Sequence, residues 1–264
     1  MNQNSDIRFC IVVPCYNEEK RLPSEDFKSF LQINPEVLVC FVNDGSSDNT
    51  LGILNRIKQD FPYNADVLSL DQNKGKAEAV RLGFQYCNAN FSHEFIAYLD
   101  ADLATTLEEC VELKSNLRGA VNFVFGSRMV KLGSEIKRSN FRFVTGRIIA
   151  TFISKILKLN VYDTQCGCKL FSRDISVRIF DQPFLSKWLF DVELFKRFIL
   201  VYGREIAKKK MIEIPLKKWI DKGDSKVSMT YFFRMWWDLY SIHRYYKSKG
   251  ELYALEPNII DENA

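Results

Sequence analysis

Residues 7–19 read IRFCIVVPCYNEE: a short apolar run, then Pro14 and a polar cluster at Tyr16-Asn17-Glu18-Glu19. An apolar run of this length without polar alternation reads as a strand buried on both faces. The pattern recurs at 36–42 (EVLVCFV), 66–70 (DVLSL), 94–99 (EFIAYL) and 121–125 (VNFVF). Each run again ends in polar residues: Asn43-Asp44-Gly45-Ser46-Ser47-Asp48, Asp71-Gln72-Asn73-Lys74-Gly75-Lys76, Asp100-Ala101-Asp102 and Gly126-Ser127-Arg128. Helix-like stretches at 24–33, 47–60, 75–88 and 106–117 separate the runs; Ser46, Ser47 and Asp48 open the second, and Thr105 with Glu108 predicts a capping box for the fourth. This alternation predicts an α/β fold, a doubly wound, mainly parallel sheet with helices on both faces. Ligands bind such sheets outside the carboxyl ends of the strands, so the five polar clusters are expected to converge on one edge.

The second half is less regular. Phe141, Val144, Ile148, Ile149, Phe152, Ile153, Ile156 and Leu157 recur at helical spacing through 141–159; a turn-rich segment follows at 161–169, a helix at 189–201 and an edge strand at 210–216. The organisation expected is a main domain over 1–228 and a C-terminal aromatic and basic helical appendage with a loose tail over 229–264.

With 264 residues, 47% apolar and 27% charged, including 21 Phe and 11 Tyr, the chain can bury a full core and is neither disordered nor low-complexity. The apolar stretch 147–159 contains Lys155 and Lys158 and falls well short of a membrane span, and the N-terminus has no basic region leading into an apolar one. A cytoplasmic protein is expected. Seven scattered cysteines fit reduced thiols. A net charge of +4 does not call for nucleic acid, but eight Lys or Arg against one Glu between Arg128 and Lys158 invite an anionic partner.

Asp100 and Asp102, flanking a small residue at a strand end, are hard oxygen donors suited to Mg²⁺ or Mn²⁺, with phosphates and water completing the shell. Asp44, also at a strand end, can accept hydrogen bonds from a base or ribose; Tyr16 offers a flat face to a nucleobase, and Lys76 at a helix start can meet phosphate. No P-loop, dinucleotide fingerprint, nucleophile elbow or His-Glu-x-x-His occurs, and two histidines leave little room for histidine chemistry.

The motifs VVPCYNEE (12–19), VNDGSSDNT (42–50), NKGKAEAVRLGF (73–84), YLDADLATT (98–106), FGSR (125–128), DTQCGCKLFSR (163–173) and WLFDVELF (188–195) together resemble family 2 glycosyltransferases of the GT-A fold, in particular their dolichyl- and polyprenyl-phosphate subgroup. The resemblance spans residues 9 to 226. It implies that Pro14, Tyr16, Glu18 and Asp44 bind uridine with Lys76 nearby, that Asp100 touches both nucleotide and metal, and that Asp102 is the main metal ligand. It implies inverting transfer of a sugar, glucose, from a UDP-sugar, with Mg²⁺ or Mn²⁺ as cofactor and polyprenyl phosphate as acceptor. Asp191 matches the family's base, and Arg128, Arg138, Arg142, Gln165 and Lys169 resemble the acceptor-phosphate cluster; Cys168 stands where an aromatic is common. A hydroxyl acceptor needs a base, whereas a phosphate is already ionised and needs only positioning. The alternatives are a hydroxyl acceptor, such as a lipid-linked glycan in surface-polysaccharide assembly, with Asp191 as base, and a non-catalytic nucleotide-sugar or membrane-binding module. Stretches 141–159 and 229–248 could rest on the inner face of an anionic membrane.

Overall fold

The structure is a computed structural model that describes residues 7–137, 140–220 and 229–255; within these, the side chains of 137, 140–145, 229–234 and 250–255 are not described. Seven strands form the main sheet in the order β3-β2-β1-β4-β7-β5-β8: β1 (Phe9–Cys15), β2 (Val37–Asp44), β3 (Ala65–Leu70), β4 (Phe95–Leu99), β5 (Phe123–Ser127), β7 (Cys168–Ser172) and β8 (Met211–Pro215). A separate ribbon pairs β6 (Glu135–Lys137) with β9 (Lys218–Ile220). The five expected strands and the expected edge strand are all present, with ends shifted by at most two residues.

The apolar runs alternate between two cores, as the two-residue period of a strand requires. From β1, Cys10 and Val12 join a core with Phe84, Phe123, Phe171 and Phe195, while Phe9, Ile11 and Val13 face the opposite core with Phe27, Phe41 and Leu107. Helices α3 (Lys76–Asn90), α5 (Asn140–Leu157), α6 (Arg173–Ile179), α7 (Phe190–Tyr202) and α9 (Met229–Leu255) supply the first core; α1 (Ser24–Ile33), α2 (Thr50–Asp60) and α4 (Leu107–Lys114) supply the second. Helix α8 (Arg204–Lys210) leads into β8.

Two local expectations are corrected. The cap of α4 is Thr106, whose side chain accepts from Glu109 N at 3.2 Å, one residue later than the Thr105–Glu108 box; Glu109 then accepts from Lys217 N and Lys218 N instead of closing the box. Segment 161–169, read as turns, ends inside β7, which runs antiparallel to both β4 and β5. Leu99 at the end of β4 stands opposite Cys168 at the start of β7, so the loop entering β7 lies on the same rim as the other strand ends.

All seven cysteines are free and buried, as expected of reduced thiols. Among the described residues, no helix is long and apolar enough to cross a membrane. Helix α9 is long, and Met235, Leu239, Ile242 and Tyr246 from it are buried in the first core.

Candidate active site

The rim is assembled from the loops that leave β1, β2, β3 and β4 and the loop that enters β7. Loops 14–19 and 44–50 are laced together: Asn17 N donates to Ser46 Oγ at 3.1 Å, Ser47 N to Asn17 Oδ1 at 2.9 Å, and Glu18 N to Thr50 Oγ1 at 2.8 Å. Asn17 adopts φ 51°, which asparagine tolerates well. Tyr16 is partly exposed at this rim, Pro14 stands opposite Val42 one residue before the end of β1, and the Glu18 carboxylate pairs with Arg21 at 2.8 Å.

Asp44 is 2% exposed and accepts Lys74 N at 2.7 Å and Gly75 N at 2.8 Å, one on each oxygen. The residue read as a base or ribose ligand therefore first builds the turn that precedes α3. Burial pushes its carboxyl above the ordinary carboxylate value, opposed by the two N–H donors and the charge of Lys187.

In the Asp-Ala-Asp turn, Asp100 N donates to Gly167 O at 3.2 Å, Leu103 N to Asp100 O at 3.1 Å, and Ala104 N to Asp102 Oδ1 at 3.0 Å. Leu103 takes φ 50°, a left-handed conformation that costs a non-glycine residue about 1 kcal/mol or more and is held by these bonds. Gly167 leaves room for the Asp100 carboxylate: a Cβ there would stand 2.0 Å from Asp100 Oδ2. Burial, then the neighbouring charge of Asp100, push the Asp102 carboxyl up. Two acids that repel each other at a strand end, with hard oxygen donors, fit a divalent cation. No cluster of three or more His, Cys, Asp or Glu able to hold a metal occurs among the described residues, so phosphate and water oxygens would complete its shell.

Lys76 Nζ pairs with Asp100 Oδ1; burial works against its charge, but Asp100, Asp191 and Asp102 outweigh it and raise the Lys76 pKa. Its ammonium lies 6.0 Å from the centre of the Tyr98 ring, and Lys169 Nζ lies 5.4 Å from the same ring. Beneath the turn, Tyr98 donates its hydroxyl proton to Asp191 Oδ1, and Lys169 Nζ stands 2.7 Å from that same oxygen. Lys169 also donates to Tyr98 Oη at 3.0 Å and to Cys166 O at 2.6 Å. An ammonium has three protons, and each has an acceptor here.

Lys169, expected in an acceptor-phosphate cluster, is 0% exposed and holds Asp191 and Tyr98 from below. Asp191 does lie close to the Asp100 turn, since both charges act on Lys76. Arg128 is likewise engaged. Its Nε and Nη2 grip Asp163 at 2.6 and 2.8 Å, its backbone N–H adds a third bond at 3.1 Å, and Trp219 lies 5.3 Å from the guanidinium. Burial opposes both charges, but the pairing prevails, holding Arg128 above and Asp163 below their usual ranges. Gln165 follows this pair, and its Nε2 is buried without a partner among the described residues, as are Ser127 Oγ and Thr164 Oγ1. Arg138 lies outside the described residues, and Arg142 lies on α5 with its side chain not described.

Sequence reasoning missed Tyr98, Asp163, Gly167 and Lys187. Tyr98 read as a core strand residue and is one, its ring buried and only its hydroxyl committed to Asp191. Gly167 carried a usable signal, a glycine between two cysteines in a polar segment, but the carboxylate it makes room for is 67 positions earlier in the chain.

A mostly parallel sheet with one inverted strand, its rim presenting an Asp-x-Asp turn beside a lysine, defines the GT-A class of glycosyltransferase fold. The family follows from sequence: residues 10–180 match Glycosyl transferase family 2, and the chain belongs to that family of enzymes. It is 30% identical over 258 residues to dolichyl-phosphate beta-glucosyltransferase ALG5C of Trichomonas vaginalis, covering 92% of this chain and 73% of that one. It is 32% identical to the Homo sapiens dolichyl-phosphate beta-glucosyltransferase, covering 81% and 72% respectively. In fold it is similar to glucosyl-3-phosphoglycerate synthase from Mycobacterium tuberculosis in complex with Mn²⁺, UDP-glucose and phosphoglyceric acid, at TM-score 0.65 and 16% identity over 91% of this chain and 81% of that one.

Proposed function

We propose that the protein is a metal-dependent inverting glucosyltransferase that moves glucose from UDP-glucose to the phosphate of a polyprenol of the dolichyl type. The relatives named above support the sugar and the acceptor, and the fold neighbour crystallised with Mn²⁺ and UDP-glucose supports the donor. In this reading Pro14, Tyr16, Glu18 and Asp44 line the uridine side, Asp44 acting through the lone pairs that its backbone bonds leave free. Asp100 and Asp102 would hold Mg²⁺ or Mn²⁺, which when bound supplies charge compensation to the leaving diphosphate. Lys76 contributes a fixed positive charge beside the same turn. An acceptor phosphate oxygen forms its bond to the anomeric carbon as the bond from that carbon to UDP breaks, so no side chain serves as nucleophile.

The observation that carries the choice of acceptor is the engagement of Asp191. A hydroxyl acceptor would need Asp191 to take up a proton, and its Oδ1 already holds the Tyr98 hydroxyl and stands 2.7 Å from the buried Lys169 ammonium. A phosphate acceptor arrives ionised and needs cations and donors; Arg128 on its Asp163 mount, the unpartnered Gln165 amide, Arg138 and Arg142 are the candidates.

The test is to incubate the protein with radiolabelled UDP-sugars, Mn²⁺ and a short polyprenyl phosphate, then extract into organic solvent. Glucose label in the organic phase is expected; transfer only to glycan hydroxyls would overturn the reading. Access to such a lipid also suits peripheral binding at the inner face of an anionic membrane, for which exposed Trp236, Trp237 and Tyr240 on α9 and Ile148 and Phe152 on α5 supply apolar surface. Flotation with vesicles containing phosphatidylserine, absent with neutral vesicles, is the expected result.

A further inference from the structure

The loop 181–189 between α6 and α7 is clamped from beneath. Glu193 on α7, 0% exposed, accepts Ser186 N at 2.9 Å, Leu185 N at 3.1 Å and the Tyr246 hydroxyl of α9 at 3.0 Å. Ser186 Oγ donates to Asp238 Oδ2 of α9 at 2.7 Å and accepts Trp188 N and Leu189 N at 3.3 and 3.0 Å. The loop backbone is thus fixed on both sides of Lys187.

Lys187 reaches from this mount to the donor side of the rim. A Cβ built on Gly75 would stand 3.3 Å from Lys187 Cδ and 3.6 Å from its Cγ, so the aliphatic stem lies along the turn between Asp44 and Lys76. Its charge is felt at Asp44, where it opposes the effect of burial. Lys76 and Lys169 are both committed to aspartates, whereas the Lys187 ammonium makes no hydrogen bond or ion pair among the described residues. An exposed ammonium whose stem lies against the turn beside Asp44 and Lys76 is placed to bind an anion such as a diphosphate.

We infer that Lys187 is a phosphate-binding residue for the nucleoside diphosphate of the donor, kept in place by the link from Ser186 to Asp238 on α9. The inference rests on the UDP-sugar reading above and extends it to a residue and an element outside the Asp-x-Asp turn. The free ammonium, the stem packed against Gly75 and the clamp beneath are three separate observations that agree.

The experiment is calorimetric titration of the full chain with UDP and with uridine, each with Mn²⁺, at low and high salt. Lys187→Ala is expected to weaken UDP binding about tenfold and uridine binding by less than about twofold, because only the former carries the charge the ammonium meets. Lys187→Arg retains binding, and the loss in Lys187→Ala shrinks at high salt. Asp238→Ala, which leaves the lysine but releases its mount, weakens UDP binding about threefold. UDP affinity unchanged in Lys187→Ala, or an equal loss for uridine, overturns the assignment; unchanged affinity in Asp238→Ala overturns the role of α9. If the wild-type chain binds neither ligand, the donor reading fails and this inference falls with it, whereas wild-type binding with an unaffected Lys187→Ala removes this inference alone.

Discussion

Asp100 is shaped by Gly167, which accepts its backbone N–H and leaves room for its carboxylate. Gly167→Ala is expected to displace the Asp100 carboxylate, since the added methyl would sit 2.0 Å from Oδ2. A displacement near 1 Å at the reacting centre lowers kcat/KM by about 100-fold, with the melting temperature changed far less. The Arg128–Asp163 pair makes a different prediction. Removing one partner strands a buried charge, so Arg128→Ala is expected to lower stability by about 3–5 kcal/mol in a denaturant titration. Asp163 has a folded pKa depressed by that pairing, so its stabilisation is complete above the unfolded carboxylate pKa and is lost as pH falls through the lower folded value. Asp163→Asn should therefore flatten the acid limb of the stability profile. Lys196, half-buried and near Arg204 and Lys158, has its pKa lowered to about 8 mainly by desolvation, so the cost of its charge is full below that pH and fades as pH rises towards the unfolded lysine value. Lys196→Met should stabilise the protein at pH 7 with an advantage that shrinks above pH 8, read from melting curves across that range. At this scale the motif residues were legible because they sit at strand ends. The residues that support them were not, because their partners are remote in sequence: Asp191 bonds Tyr98 across 93 positions and Arg128 bonds Asp163 across 35.

The elements of the first half were readable because β1, β2, β4 and β5 are apolar runs buried on both faces and the helices between the strands are long enough to show their period. Helix α3 packs so closely on the sheet that a methyl on Gly83 would meet Val12 Cγ1 at 2.5 Å and Val42 Cγ2 at 2.8 Å. Gly83→Ala is expected to cost about 1–3 kcal/mol by overpacking, measured by chemical denaturation, despite the better helix propensity of alanine. Strand β7 escaped because its first residues, Cys168 and Lys169, follow a run of turn-formers, and a lysine in mid-strand argues against a core position unless a partner is known. The partner is Asp191, on a helix that comes later in the chain. The cap of α4 was misplaced by one residue because Thr105-Thr106-Leu107-Glu108-Glu109 offers two overlapping capping boxes, and contact with Lys217 and Lys218 selects the later one.

At the scale of the whole molecule, the expected boundary at residue 228 can be tested directly. Helix α9 places Met235, Leu239, Ile242 and Tyr246 in the core that α7 also fills. Burying a large apolar side chain contributes roughly 1.5–3 kcal/mol, so four together approach the net stability of a domain. A chain ending at residue 228 is expected to lose cooperative thermal unfolding and to expose apolar surface to a dye such as ANS; a truncated chain that melts as sharply as the full one would make 229–264 a true appendage. The inverted strand has a consequence of its own. Because β7 begins where its neighbours finish, the segment ahead of it is threaded straight into the working rim, held by Leu99 against Cys168, by Asp100 N on Gly167 O and by Asp163 on Arg128. Changes of composition around the Asp163 anchor can then remodel what approaches from one side and leave the opposite wall, built by β1 to β3, undisturbed. Such an arrangement lets one scaffold exchange its customers without renegotiating with its supplier.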